Sequence, residues 1–264
     1  MAMLWLWDLL FLNAPAFAQV RLALFYSLLG GSLVVAISML LGWGAALTMD
    51  MLEQRGQRTL ALILTFVLNV IRSVPQIVGI LLGYVVLTLF IIEGSLRSPI
   101  LQLVLMSGVV SLFVFLEVMD LIRDRIDHFR QLDFVDAMLC CGIPMGRIIN
   151  IEILRKNSLA HLLHKAVAVF GMAIFLQCSI DFIISVGLST DVSSSNFPVT
   201  LGSLLARMDS KQDILAIGLF LSDLSYATAL VTRHLQGITI ASTIIFTLIC
   251  IHNIANSLVR RHRL

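Results

Sequence analysis

Two charged residues lie beside long apolar stretches and are the first candidates for chemistry. Asp181 follows the uncharged run from Ala166 to Ile180, and Arg72 directly precedes the run from Ser73 to Ile92. Charges inside membrane spans face a bundle interior or an aqueous path, so both residues are candidates for a translocation pathway or its gate. The alternative for Asp181 is a hydrated structural position near the outer membrane surface. The alternative for Arg72 is bonding to backbone carbonyls freed by a helix kink at Pro75.

A pair of acidic residues suits a structural role. Glu117 and Asp120 are one helical turn apart, at the end of an apolar run. Residues three or four apart are neighbours on a helix surface, so we expect pairing with Arg123 or Arg125 on the same helix. A proton-coupling carboxylate is the alternative.

The remaining polar residues form no constellation typical of a catalytic or metal site. His161 and His164 have helical spacing but no third ligand nearby, whereas a zinc site needs three or four. The cysteines show no metal-ligand spacing: Cys140, Cys141, Cys178 and Cys250. Neither a Ser-His-Asp set nor a P-loop occurs, so we predict a chain that is not an enzyme and binds no metal, cofactor or ATP itself.

The amino-acid composition indicates the class of protein to which this chain belongs. Hydrophobic residues make up 59% of the 264 residues and charged residues 13%, against about 45–50% and 25% in soluble domains. A water-soluble fold could not bury that much apolar surface, so we predict an all-α polytopic membrane protein in contact with lipid. The net charge of +2 argues against nucleic acid as a partner.

Five uncharged runs approach or exceed the length of about 20 residues that a bilayer crossing needs. They are Leu22–Met49, Ser73–Ile92, Ser98–Leu116, Ala166–Ile180 and His234–Val259. Because Leu60–Val70 is also apolar, the second span is predicted as one long helix kinked at Pro75, with two half-helices as the alternative. Residues 1–20 are predicted as an interfacial aromatic segment, with a short sixth span as the alternative.

Basic residues cluster in three segments that five alternating spans place on one side of the membrane. These segments, 50–59, 120–165 and 260–263, hold twelve of the 18 basic residues. The positive-inside rule makes that side cytoplasmic, and the C-terminus with it. Residues 120–165 then form the one large cytoplasmic segment.

Within this segment the sequence predicts a compact helix–turn–helix structure. The stretch 134–149 favours a short amphipathic helix, a break, and a second helix. Gly142 suits a helix C-terminus, and Pro144 suits the first turn of the next helix. The first helix would present one apolar face: Phe134, Ala137, Met138 and Cys141. That face either fills the groove of a partner or rests on lipid headgroups.

The same segment resembles the cytoplasmic EAA loop of bacterial ABC importer permeases, whose pattern is E-A-A-x3-G-x9-I-x-L-P. Four positions match without a gap: Asp136 for the Glu, Ala137, Gly142 and Leu154. Three positions depart from the pattern: Met138, Glu152 and Arg155.

Other stretches are similar to particular branches of that family. The run 147–149 and the segments 179–188 and 197–205 are similar to the dipeptide, oligopeptide and nickel branch. The run 71–75 is similar to the amino-acid branch. Together these resemblances cover about residues 21–264, and residues 1–20 lie outside them.

The resemblance implies a permease subunit of the type I ABC importer fold in the bacterial inner membrane. Its expected partners are a second, usually different permease, two ATPase subunits that bind ATP and Mg, and an extracytoplasmic binding protein delivering peptides or similar small solutes. The ATPase-coupling loop would use Phe134, Asp136, Ala137, Met138, Gly142, Ile143, Arg147 and Leu154. The translocation pathway or gate would use Arg72, Pro75 and Asp181.

Two other functions stay open from the residues alone. One is a carboxylate-coupled secondary transporter or channel that uses Asp181, Glu117 and Arg72. The other is a structural membrane subunit that does not transport.

Overall fold

A computed structural model of the chain describes residues 14–93, 98–187, 198–207, 215, 218–228 and 235–262. All regular elements in these ranges are helices, and none of the described residues forms a β-strand. The predicted all-α class is therefore confirmed.

The α-helices are numbered in chain order: α1 Ala14–Gln54, α2 Arg58–Ser73, α3 Gln76–Ile92, α4 Pro99–Arg130, α5 Asp133–Cys140, α6 Met145–Arg147, α7 Leu159–Gly187, α8 Leu201–Arg207 and α9 Leu235–His262. A π-helix, Ile148–Asn157, follows α6, and a 3-10 turn, Leu224–Tyr226, precedes α9.

Within the described ranges, three helical stretches are long and apolar enough to cross a membrane: Phe17–Gln54, Pro99–Arg130 and Leu159–Asp181. They correspond to the first, third and fourth predicted spans, and they identify a membrane protein. The second predicted span corresponds to the bent pair α2 and α3, and the last to α9, whose apolar part Thr239–Ile254 is shorter. Of the predicted N-terminal segment, residues 1–13 lie outside the described residues, and 14–20 belong to α1.

The region around Pro75 contains two helices and not one kinked helix. Ser73 ends α2, Val74 is extended (φ −82°, ψ 125°), and α3 begins at Gln76. The two helices meet at 92°. The residue before a proline is driven out of the helical region by the ring, which explains why a complete break replaces a kink.

The described chain divides into two compact units. The described residues of the first unit lie within Met1–Ser32, Leu81–Met106 and Ile174–Ile251. Its apolar core joins α1, α8 and α9 through Val20, Ala23, Leu201, Leu204 and Ile240. In α9 the buried hydroxyls of Thr243 and Thr247 donate to the carbonyls four residues earlier, at 2.8 and 2.6 Å. Each hydroxyl thereby has an acceptor within its own helix.

The described residues of the second unit lie within Leu33–Ile80, Ser107–Ala173 and His252–Leu264. In this unit α1 and α4 approach closely, because Gly42 packs against Val118 and the backbone of Met119. A Cβ on Gly42 would lie 2.8 Å from Val118 Cβ, whereas a Cβ on Gly44 would meet no atom within 4 Å. Of these two glycines, Gly42 therefore makes a close helix contact and Gly44 does not.

These two glycines supply a matched stability test. Gly42→Ala should destabilise the protein by about 1–3 kcal/mol, because Val118 and the α4 backbone must move to admit the methyl group. Gly44→Ala, half a turn away on α1, should leave stability unchanged or raise it by up to about 1 kcal/mol. Thermal unfolding of both variants in detergent measures the difference. Equal melting temperatures would contradict the close α1–α4 contact.

Candidate functional site

The predicted helix–turn–helix structure is present between Asp133 and Arg147, here named the α5–α6 segment. Helix α5 ends at Cys140, and Gly142 takes the left-handed conformation at φ +77°. The Gly142 N–H donates to the Leu139 carbonyl at 2.9 Å, and the Ile143 N–H donates to the Met138 carbonyl at 3.1 Å. These two bonds form a Schellman motif, which fixes the direction in which the chain leaves α5.

Pro144 was predicted in the first turn of the next helix, but it lies just before that helix. It is the N-cap of α6, with φ −66° and ψ 140°, and Met145 is the first helical residue. The Pro144 carbonyl accepts from the Arg147 N–H at 2.9 Å and from the Ile148 N–H at 3.2 Å. The turn between α5 and α6 is thus hydrogen-bonded on both sides.

Exposure varies along α5, and the four residues of the predicted apolar face are all exposed or half-buried. Val135 is buried within the second unit. Phe134 is half-buried, with its ring 6.0 Å from the Phe129 ring in an edge contact. The other predicted coupling residues of this segment are exposed or half-buried: Asp136, Ala137, Gly142 and Arg147 are exposed, and Met138 and Ile143 are half-buried. The segment therefore presents a mixed polar and small-residue surface, which includes exposed Cys140 and Cys141.

Leu154, the last matched position of the loop pattern, lies in the interior of the second unit. The predicted second helix continues from α6 as a π-helix, in which Ile148, Ile149, Ile153 and Leu154 are buried. Ile148 and Ile153 are five residues apart, and so are Ile149 and Leu154. This spacing matches the i→i+5 hydrogen bonding of a π-helix. Leu154 is therefore packed inside the second unit, and its part in a coupling loop stays a prediction.

Helix α4 carries one partner of each of four ion pairs that join neighbouring helices in the second unit. This α4 ion-pair set consists of Glu117–Lys165 at 2.7 Å, Asp120–Arg72 at 2.7 Å, Arg123–Glu53 at 3.0 Å, and Arg130–Asp50. The partners come from α1, α2 and α7. All four pairs together fix the position of α4 against three helices.

The expected pairing of Glu117 and Asp120 within their own helix is wrong. Asp120 accepts two hydrogen bonds from Arg72 Nη2, at 2.7 and 2.8 Å, and Glu117 accepts one from Lys165. The Arg72 guanidinium therefore joins the end of α2 to α4, and its place in a translocation pathway stays a prediction. Cations on adjacent helices lie closer to these carboxylates than the same-helix arginines do, which a single-helix pattern does not reveal.

The Arg130–Asp50 pair is the most buried of the set. The Asp50 side chain is only 8% exposed. It also accepts a hydrogen bond from Gln54 Nε2 at 2.6 Å. Because Arg130 is the last residue of α4, this pair attaches the beginning of the α5–α6 segment to α1.

Asp181 belongs to the first unit, where it is 9% exposed and accepts a hydrogen bond from the Thr200 hydroxyl. This burial contradicts the hydration expected in the alternative for Asp181, whereas the structural role in that alternative agrees with the Thr200 contact. Thr200 also begins α8 with a reciprocal cap: the Ser203 N–H donates to Thr200 Oγ1 at 3.2 Å, and the Thr200 N–H donates to Ser203 Oγ at 2.9 Å. Ser27 Oγ accepts from the Leu201 N–H at 2.9 Å. Asp181 thus holds the start of α8 against α7.

A glycine permits this docking of α8. A Cβ on Gly202 would lie 2.5 Å from Cys178 Cα, so only a glycine allows the two backbones to come this close. The sequence signals for this site were the Thr200-x-x-Ser203 spacing and Gly202, neither of which identifies Asp181 as the partner.

Comparison with protein-family models and with curated proteins finds no match to this chain. Among the described residues, no group of three or more His, Cys, Asp or Glu side chains is placed to hold a metal ion. The site is thus defined by its own geometry: an exposed, hydrogen-bonded turn attached by a buried ion pair, and a separate buried Asp181–Thr200 contact.

Two arginines of α4 test how the α5–α6 segment is attached. Arg130→Gln should lower the free energy of unfolding by about 3 kcal/mol, because the Asp50 carboxylate stays buried without its cation. Arg123→Gln, the matched control at a more exposed pair, should cost less than about 1 kcal/mol. Unfolding in mixed detergent micelles measures both values.

A rescue variant distinguishes the ion pair from general damage. Asp50→Asn added to Arg130→Gln removes the buried charge and should recover most of the lost stability. A double variant as unstable as Arg130→Gln alone would show that the loss does not come from the unpaired carboxylate.

Proposed function

We propose that the chain is a permease subunit of an ATP-driven ABC importer and that the α5–α6 segment couples it to a separate ATPase. The observation that supports this proposal is the exposed turn at Gly142, closed by two hydrogen bonds and attached to α1 through Arg130 and Asp50. A segment that receives a mechanical stroke must be stiff, because a flexible loop would absorb the motion. The resemblance to the EAA loop covers the same residues.

The α4 ion-pair set supplies a route by which a displacement of the segment reaches other helices. Movement at Arg130 acts on α1 through Asp50, and movement of α4 acts on α2 through Arg72 and on α7 through Lys165. The turn itself therefore moves with three helices of the second unit. Alternating access in a permease requires such a collective rotation.

The remaining parts of the proposal follow from the resemblance. The chain would contribute five core helices and half of a pathway for peptides or similar small solutes in the bacterial inner membrane, with its C-terminus in the cytoplasm. It would pair with a second, different permease and an extracytoplasmic binding protein, while ATP and Mg would act on the ATPase. Within this scheme Arg72 and Pro75, at the joint between α2 and α3, would line the pathway or its gate. Asp181 would hold α8 at the same gate.

Gly142 offers a test in which the backbone conformation is the only variable. Gly142→Val should uncouple the proposed ATPase, because a β-branched residue at φ +77° costs about 1–2 kcal/mol and reshapes the turn. Gly142→Asn should retain coupling, since asparagine tolerates the left-handed region. Purification from the native membrane in mild detergent measures the co-purifying ATPase activity, with about a tenfold loss expected for valine alone.

Gly56 supplies the control for this experiment. It has φ +67° in the turn between α1 and α2, and a Cβ on Gly56, like one on Gly142, would meet no atom within 4 Å. Gly56→Val should therefore carry a similar conformational cost without losing the ATPase. Wild-type ATPase activity in Gly142→Val, or solute transport by the purified chain without nucleotide, would contradict the proposal.

Burial of Asp181 is the observation that favours the second candidate, a carboxylate-coupled transporter. Asp181→Asn separates the two functions, because asparagine can still accept the Thr200 hydrogen bond but carries no charge. The permease proposal expects a partial loss of labelled-peptide uptake, and a greater loss in Thr200→Val, which releases α8. Abolished uptake in Asp181→Asn together with nearly normal uptake in Thr200→Val would favour the carboxylate-coupled transporter instead.

A further inference from the structure

A cavity in the second unit has no role in the proposed coupling. It has a volume of about 400 Å³ and lies among α1, α4, the π-helix and α7. This volume is within the range of about 300–1,000 Å³ that is usual for small-ligand sites. Its lining is mainly aliphatic: Met39, Leu40, Ile122, Leu154, Leu159 and Leu162. Leu40 is 66% exposed, so the cavity opens toward the outside of the unit.

Polar groups line only part of this cavity. Trp43 Nε1 donates to Asn150 Oδ1 at 3.0 Å, so the indole is held in place by a residue of the π-helix. Arg155 also lines the cavity, and its side chain is exposed. Arg155 has no ion-pair partner among the described residues, whereas the next cation, Lys156, pairs with Glu152 at 2.8 Å. The cavity therefore combines an apolar interior with one uncompensated positive charge.

The sequence positions of the lining residues place the cavity near one end of the apolar spans. Ile122 lies between Asp120 and Arg123, both of which belong to the α4 ion-pair set. Trp43 precedes Asp50 by two turns of α1, and Met39 lies one turn deeper in the apolar run. Tryptophan and arginine beside an apolar lining are typical of the membrane–water interface.

We propose that this cavity binds one anionic glycerophospholipid of the adjacent leaflet. One acyl chain would occupy the aliphatic interior, and the phosphate would meet Arg155 beside the Trp43 indole. A soluble phosphate would leave the apolar lining exposed to water, and a zwitterionic lipid would neutralise the positive charge of Arg155 less well. Basic pockets between membrane helices recognise anionic headgroups in this way. The proposal does not depend on the chain being a transporter.

Titration of the full chain with lipid, followed by native mass spectrometry, tests the site. Dioleoyl phosphatidylglycerol should bind about fivefold more tightly than dioleoyl phosphatidylcholine, as one cation near an anionic headgroup provides. Arg155→Gln should remove this preference. Arg147→Gln is the matched control, because Arg147 is an exposed arginine outside the cavity, and it should keep the preference.

The acyl-chain part of the site is tested by filling the cavity. Leu162→Trp should weaken binding of both lipids at least fivefold. If this variant does not fold, Leu159→Trp replaces it, with the same expected effect. Glycerol phosphate without acyl chains should not compete with phosphatidylglycerol. The proposal would be overturned if the two lipids bound equally to wild type or if the two arginine variants had equal effects. It would also be overturned if binding were unchanged in the filled variants or if glycerol phosphate competed.

Discussion

The Asp50–Arg130 ion pair is the interaction on which the second unit depends most. A carboxylate removed from water is tolerated only while a cation and further donors stay with it, and here Arg130 and Gln54 both donate to Asp50. Since α5 begins three residues after Arg130, the contact that keeps this charge paired also determines where the α5–α6 segment leaves the bundle. Stability of the unit and position of its exposed turn are therefore set by the same contact.

The other members of the α4 ion-pair set are more exposed and individually weak, but they act on one helix. Exposed pairs contribute at most about 1 kcal/mol each, so their main effect is to select one register of α4 against its neighbours. The π-helix is held in the same unit by apolar packing, because its wider winding places Ile148 and Ile153 on one buried face. Asn150 is thereby positioned to accept the Trp43 hydrogen bond that lines the cavity.

Features determined by neighbouring residues could be predicted from the sequence, and features determined by contacts between helices could not. The uncharged runs located α1, α4 and α7, and Gly142 located the end of α5, because span length and left-handed geometry are local properties. The partners of Glu117 and Asp120 lie on other helices, and Asp181 meets Thr200 only because Gly202 lets α8 dock. A period of 3.6 residues also could not anticipate burial at a five-residue spacing, which places Ile153 and Leu154 in the interior of the second unit.

The two thiols at the end of α5 have a practical consequence. Cys140 and Cys141 are exposed, whereas Cys178 and Cys250 are half-buried. A maleimide fluorophore added under mild conditions would therefore react first at the helix end beside Gly142, with no engineered cysteine needed. A dye attached to these native thiols would lie beside the turn, and changes in its emission would report changes in the surroundings of the turn in real time.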